Sequence, residues 1–437
     1  MKTLITDHQA VGDGATMNTS SIQQAIDACA AGGGGTVIVP PGTFLTGSLQ
    51  IRSRVTLEIG PGGILLGSPD LTDYPPIPFY HNEFKETRSL LWAIGEADIR
   101  LTGDGIMDFN HPAFMDMDTP AVQGLNADKA PFYNQRQLQE TTVTARPRPN
   151  QPVFFHDCKR VVIENVRLQR SPCWTLTFSC CDDIKIRGIT IDNHLRVPNS
   201  DGVHITASRN VLITGSVFSC GDDCVAVTCI TDWERPSENI IVTDCTMISR
   251  SAGVRVGYLS SKVRNVVLNN LVISDSNRGV GIFAGDGGWV ENVQASNLII
   301  RTRLFAGSWW GSGEPLVVAA TGSAGRIENV RISLVTALSE SGIVLVGMGD
   351  NMKRVALRDW DLQLSHGENR PLLGNWVDLQ PAESRPLEKG SAPWLYAADV
   401  GGLDLQNVRP RRAPDETTGL VIDPIMERVA WTEPASR

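Results

Sequence analysis

Long hydrophobic runs are missing from this sequence. No stretch of eighteen apolar residues occurs, so no membrane-spanning helix is expected. Positive charge is in the minority, with 39 Lys and Arg against 48 Asp and Glu, a formal net charge of −9. That balance lacks the basic face a nucleic-acid partner requires. The nine Cys include one adjacent pair, Cys180 and Cys181, but show no CxxC…CxxC spacing that would hold a metal. They are expected as buried, reduced thiols in a reducing compartment. The opening residues, "MKTLITDHQAVGDG", have no apolar signal-peptide core, and a cytoplasmic location is expected. "AVGDG" carries neither a P-loop Lys nor a GxGxxG arrangement, so no phosphate loop is read there.

Helical periodicity is equally scarce. One convincing helix lies in "TSSIQQAIDACAAG", where Ile22, Ala25, Ile26 and Cys29 recur on one face. Ser20 or Ser21 is expected to cap it, and Gly32 to stop it. Turn formers are plentiful instead, with 41 Gly and 25 Pro. A short motif of polar residues followed by alternating β-branched ones returns as "KRVVIENV", "DDIKIRGI", "RNVLITGS", "ENIIVTDC", "RNVVLNNL", "ENVQASNL", "IENVRISL" and "KRVALRDW". With Val161, Ile184, Val211, Ile240, Val266, Val293, Val330 and Val355 as register marks, the steps are 23, 27, 29, 26, 27, 37 and 25. A period in the twenties without helices between the strands describes stacked coils. Ordinary parallel sheets need crossover helices, and the Leu/Asn consensus of leucine-rich repeats is absent. The expected fold is therefore all-β, a right-handed parallel β-helix running through residues 1–437 as one domain. Residues 1–80 supply a capping helix and the first coils, and residues 108–152 and 303–316 form long loops over a cleft. Residues 370–437 supply the last coils and tail, less periodic and expected to fold back along the coils.

Three carboxylates stand out in "NSDGVHITASRNVLITGSVFSCGDDCVAV". Asp201 and Asp222 are 21 residues apart, close to one coil, so stacking can bring Asp201 to the face that holds Asp222 and Asp223. Gathered carboxylates suit glycoside hydrolysis, where mutual repulsion keeps one acid protonated while another activates water. Spacing alone leaves two other readings open: turn aspartates bonding backbone amides, and a site for a hard cation such as Ca²⁺.

"NSDG" followed one coil later by "CGDDCVAV" resembles the paired motifs of the polygalacturonase family of glycoside hydrolases, family 28. "AVGDG", "IQQAIDACAAGGGGTVIVPPGTFLTGSL", "GGILLGSPDLTDYPP" and "SPCWTLTF" extend the resemblance over roughly residues 4 to 300. It implies the β-helix fold and inverting hydrolysis without a metal or organic cofactor. It also implies that Asp222 is the general acid and that Asp201 and Asp223 hold and deprotonate the attacking water. Two family segments are altered. The family's Gly-His-Gly falls on "SRSAGVRVGY", putting the His position at Ser251 or Ala252. Its Arg-Ile-Lys, whose cations hold the sugar carboxylate, falls on Gly281, Ile282 and Phe283. Losing those charge-assisted bonds argues against a true polygalacturonase. An acidic sugar would then be held by Arg255 or Arg278, while Phe283 fits an apolar sugar face.

Other candidates for the cleft are Trp309 and Trp310, flanked by Gly and suited to stacking on sugar C–H faces. Glu314 in the same loop is placed to bond a sugar hydroxyl or an Arg. Trp174 is read as structural. Strand alternation puts His204 on the face opposite Asp201. Arg146 and Arg148, in "RPRP", are within reach of an anionic group or simply solvated. The expected activity is hydrolysis of a pectin-related or other plant or microbial oligosaccharide, acting from chain ends on short fragments. The rivals are a lyase or transglycosylase on the same fold, the lyase using Ca²⁺ and an Arg base, and a non-catalytic carbohydrate-binding β-helix.

Overall fold

The computed structural model describes residues 2–79, 84–122, 134–229, 235–285, 287–307, 310–322, 324–365, 367, 369, 376–380, 384–386 and 394–412. Strands dominate, and they pair in parallel from coil to coil as a right-handed parallel β-helix. The chain divides into two compact units. The first comprises Met1–Thr119, Val143–Gly221 and Thr231–Ile240, the second Pro120–Thr142, Asp222–Ile230 and Ile241–Arg437. Among the described residues no helix is long and apolar enough to cross a membrane.

In the first unit, helix α1 (Thr19–Ala31) buries Ile22, Ala25, Ile26 and Cys29, the face expected from periodicity, and ends at Gly32. Its N-cap is Asn18, not Ser20 or Ser21. The Asn18 side chain does not cap the helix; it bonds Val11 and the Thr16 carbonyl, tying the helix to the preceding chain. Gln23 fastens the helix to the first coil by bonding the Gln50 backbone in both directions.

The coils follow the register marks. In the first unit Ile99, Val161, Ile184 and Val211 stack in one row, and Leu101, Ile163, Ile186 and Ile213 in the next. In the second unit Val266, Val293, Val330 and Val355 stack, beside Leu268, Ala295, Ile332 and Leu357. All of these side chains are buried. The period-two alternation sends every second residue inward, so each coil buries apolar rows only against its neighbours. The Asn of the repeated motif has its own cause. Asn265, Asn292 and Asn329 take left-handed φ of 58°, which Asn tolerates, and turn the chain into the strand. Their amides then bond in a ladder, Asn292 to Asn265 at 3.1 Å and Asn329 to Asn292 at 2.7 Å.

The sheet that concerns function is built of short strands. In the first unit they are β1 (Leu49–Gln50), β2 (Leu91–Ile94), β3 (Val153–His156), β4 (Leu176–Ser179) and β5 (Val203–Thr206). In the second they are β6 (Val225–Thr228), β7 (Ala252–Val256), β8 (Arg278–Ala284), β9 (Glu314–Ala320), β10 (Ile343–Val346) and β11 (Leu395–Ala398). Val225, Val254, Val280 and Leu316 form the inward row of the second unit, while Ala226, Arg255, Gly281, Val317, Val344 and Tyr396 form the outward one. The outward face is also covered, by loops.

The expected loops carry some regular structure. Met115–Pro120 pairs with Val143–Ala145, and Gln135–Glu140 is a short helix capped by Asn134. That helix packs in the second unit through Gln137 on Asn369 and Glu140 on Arg303. All nine Cys are buried and unbridged, as expected.

Candidate active site

In the second unit, the turn into β6 presents Asp222 and Asp223. Asp222 is 5% exposed, and one of its carboxylate oxygens accepts from the Asp223 backbone N–H at 2.9 Å. Asp223 is fully buried. Its Oδ1 accepts from the Ser251 hydroxyl at 2.8 Å and from the Ala252 N–H at 3.0 Å, while its Oδ2 accepts from Arg255 Nε. A buried carboxylate is tolerated only when paired and bonded in this way. The turn is fixed beneath by Ser249, whose hydroxyl donates to the Asp222 carbonyl at 2.7 Å and whose oxygen accepts from Ser251 N–H.

Arg255 therefore reaches the site by binding Asp223. Its guanidinium carbon lies 5.2 Å from the Tyr258 ring and 5.5 Å from the Trp310 ring, both within cation–π range. The two rings stack at 5.9 Å. Asn277 holds this loop, donating to the Trp310 carbonyl and accepting from Phe305 N–H. Trp310 is partly exposed, as a sugar platform needs. Trp309 lies outside the described residues.

Arg278 and Phe283 are buried rather than exposed to a cleft, and Glu314 meets an Arg, one of its two expected partners. Arg278 is 1% exposed and Glu314 2%, and they pair with each other. Burial pushes the Glu314 carboxyl up, against the opposing pull of Arg278. The Arg278 guanidinium also donates to the carbonyls of Asp378 and Gln380 at 3.0 and 2.8 Å. Phe283, 1% exposed, packs in an apolar cluster with Val317, Ala319, Val344, Val346 and Leu379. All three side chains are buried. Alternation puts Phe283 on the outward row with Gly281, and Arg278 and Glu314 on the row of Val280 and Leu316; a segment distant in sequence packs on Arg278 and Phe283, which alternation cannot register. Gly281 belongs to the same change, because a Cβ there would sit 2.5 Å from the Phe283 ring. Arg cannot stand at 281 while Phe stands at 283.

In the first unit, Asp201 is 2% exposed and precedes β5, its carbonyl accepting from Thr175 N–H at 3.0 Å. His204 Nδ1 lies 3.7 Å from Asp201 Oδ2, on the same side rather than the opposite one. The strand begins only at Val203, so the period-two rule does not reach back to Asp201. The buried His204 ring stacks on Trp174 at 3.7 Å, and Trp174 meets Phe84 edge-on at 4.9 Å. Trp174 thus orients a histidine beside a candidate catalytic acid. Arg148 donates to Asn199 Oδ1 at 3.1 Å, two residues before Asp201, and Arg146 is exposed. Ser251 was identified only as a family His position, and Tyr258, Asp378 and Leu379 carry no motif; only contact shows their part.

The chain is similar to proteins of one glycoside hydrolase family. The family model "Glycosyl hydrolases family 28" matches residues 123–303. A probable polygalacturonase of Vitis vinifera is 27% identical over 330 residues, covering 71% of this chain and 62% of that protein. An exo-poly-alpha-D-galacturonosidase of Dickeya chrysanthemi is 29% identical over 248 residues, 51% of this chain and 41% of that protein. The chain thus spans about two-fifths to three-fifths of the length of these relatives. In fold it is similar to an exopolygalacturonase from Thermotoga maritima, with a TM-score of 0.66 at 23% identity, covering 84% of this chain and 88% of that one. It is also similar to the family 28 exopolygalacturonase of Yersinia enterocolitica, with a TM-score of 0.62 at 18% identity over 94% and 76% of the two chains. Residues 123–303 thus match glycosyl hydrolase family 28, and the chain is similar to polygalacturonases over the shares given.

Proposed function

We propose that the protein is an inverting glycoside hydrolase that removes sugars from the ends of pectin-related oligosaccharides. The observation that carries this is the buried Asp222–Asp223 pair, in which Asp223 is held by Ser251, Ala252 and Arg255 and its backbone N–H donates to the Asp222 carboxylate. In an inverting hydrolase of this kind one of two such acids donates a proton and another activates water. Asp222 protonates the leaving glycosidic oxygen. Asp223 orients and deprotonates the water that attacks the anomeric carbon. The bond to the leaving oxygen breaks as the bond to water forms on the opposite face, so the configuration inverts.

The family names of the relatives support a galacturonide substrate. Against plain polygalacturonate stand Gly281 and the buried Phe283 where a carboxylate clamp is expected. Arg255 does not replace that clamp, because its Nε is bound to Asp223. The substrate proposed is a pectin-related fragment whose reacting sugar is not selected through its carboxylate.

The test is a panel of acidic and neutral oligosaccharides with wild type and Asp222→Asn, product anomers being followed by proton NMR. Wild type should release the inverted sugar, and Asp222→Asn should be slower by about 100- to 10 000-fold. Equal rates for the two proteins would remove Asp222 from the chemistry.

A further inference from the structure

Asn277 is fully buried, and each of its four polar groups is bonded. Its backbone N–H donates to the Ser249 carbonyl at 3.1 Å, and Ser249 is the residue whose hydroxyl donates to the Asp222 carbonyl. The other three groups go to the loop that carries Trp310. The side-chain oxygen accepts from Phe305 N–H at 3.2 Å, and the side-chain amide donates to the Trp310 carbonyl at 3.0 Å. The backbone carbonyl accepts from Gly313 N–H at 2.8 Å. Gly311 has φ of +111°, and a Cβ there would sit 2.9 Å from the Asn277 carbonyl oxygen, so this close approach needs glycine. Phe305 is gripped as well. The guanidinium carbons of Arg250 and Arg303 lie 3.7 and 3.6 Å from its ring centre, and both cations pair with Asp275. The loop then returns toward the acids, because the Trp310 ring lies within cation–π range of Arg255, whose Nε is bound to Asp223. The contacts run from the Asp222 carbonyl through Ser249, Asn277, Trp310 and Arg255 to the Asp223 carboxylate.

We propose that Asn277 is a positioning residue for the reaction, holding Trp310 against Arg255 and so fixing how Arg255 meets Asp223. The proposal rests on the hydrolase function proposed above. An amide suits the place because it accepts from one N–H and donates to one carbonyl at the same time. Its orientation follows from those partners: Phe305 N–H only donates and the Trp310 carbonyl only accepts. Asp has the same shape, but an ionised carboxylate only accepts, so the oxygen facing the Trp310 carbonyl would repel it. A protonated carboxyl restores both bonds, its C=O accepting from Phe305 and its O–H donating to Trp310. The isosteric variant therefore switches the link to Trp310 off and on with one proton.

The test compares Asn277→Asp with wild type across acidic and neutral pH on the best substrate of the panel. The ratio of variant to wild-type kcat should approach one where the new carboxyl is protonated and fall about tenfold or more as it ionises. Arg250, Asp275, Arg278, Arg303 and Glu314, and the site groups Asp222, Asp223 and Arg255, are common to both proteins and cancel in that ratio. Denaturant unfolding at each pH gives the folded fraction, so kcat is counted per folded molecule. A second readout is the double variant: adding Trp310→Leu to Asn277→Asp should lower kcat no further than the larger single loss, as expected of two residues on one path. A kcat ratio that does not change with pH, or additive losses, would overturn the positioning role and leave Asn277 a residue of the fold alone. Should Asn277→Asp not fold, Trp310→Leu, which trims a partly exposed ring, carries the test with Arg255→Lys: their kcat losses should be non-additive, and additive losses would overturn the link. Wild type without activity on any sugar would overturn the hydrolase function itself, and the positioning role with it, before any variant is compared.

Discussion

Arg255 binds Asp223, not a substrate carboxylate: Nε meets Oδ2 on a side chain that is almost wholly buried, with Ser251 and Ala252 holding the other oxygen. A cation in that place fixes the charge and orientation of an acid, so its effects should appear in turnover before affinity.

Arg255→Lys keeps the charge but loses the planar fork. It is expected to lower kcat about tenfold or more while KM changes less than threefold, measured on the best substrate of the panel. A rise in KM with kcat preserved would show Arg255 touching the sugar. Arg255→Gln leaves a buried carboxylate without its cation and should cost about 3–5 kcal/mol of stability, read by denaturant unfolding.

Ser251 gives Asp223 a hydroxyl where the family has an imidazole nearby. Ser251→Ala should lose about 1 kcal/mol from that bond and slow turnover several-fold. Unchanged kinetics would mean that the Ala252 amide and Arg255 suffice to hold Asp223.

Gly281 and Phe283 should behave as a coupled pair. Gly281→Ala forces a Cβ against the Phe283 ring and should destabilise by about 1–3 kcal/mol. Phe283→Leu costs stability by itself, but combining the two should cost less than the sum, which a double-mutant cycle measures.

His111 supplies an acid-side weakness. Burial first, then the neighbouring His194 and Arg170 charges, lower it from its ordinary 6.5 to about 4, with Asp108 opposing. The unfolded chain therefore binds a proton between pH 6.5 and 4 that the folded one refuses. Stability from this group is complete above pH 6.5 and falls as pH drops toward 4, by about 3 kcal/mol over the window. His111→Gln should flatten the fall in Tm between pH 7 and pH 4.5; an unaltered slope would point to other groups.

Chelation separates the proposed chemistry from a Ca²⁺-dependent lyase. Activity should survive excess EDTA, and products should lack the ultraviolet absorbance of an unsaturated sugar. Loss of activity restored by Ca²⁺ would favour the lyase.

The repeated motif determined the fold by itself. The β-branched alternation at Val161, Ile184 and Val211, and again at Val266, Val293, Val330 and Val355, is local, and each coil repeats the same local solution, so register is legible without knowledge of distant contacts. The Asp222–Asp223 pair was legible for the same reason, as adjacent residues in one turn. Tertiary structure alone decided which outward residues remain available. Arg278, Phe283 and Glu314 lie on the two strands that follow Arg255's, and Asp378–Gln380 packs on Arg278 and Phe283. His204 likewise reaches Asp201 because the strand starts after the acid, a boundary of two residues that periodicity cannot resolve. Alternation states which way a side chain leaves the backbone; what it meets depends on a chain segment whose return no local pattern encodes.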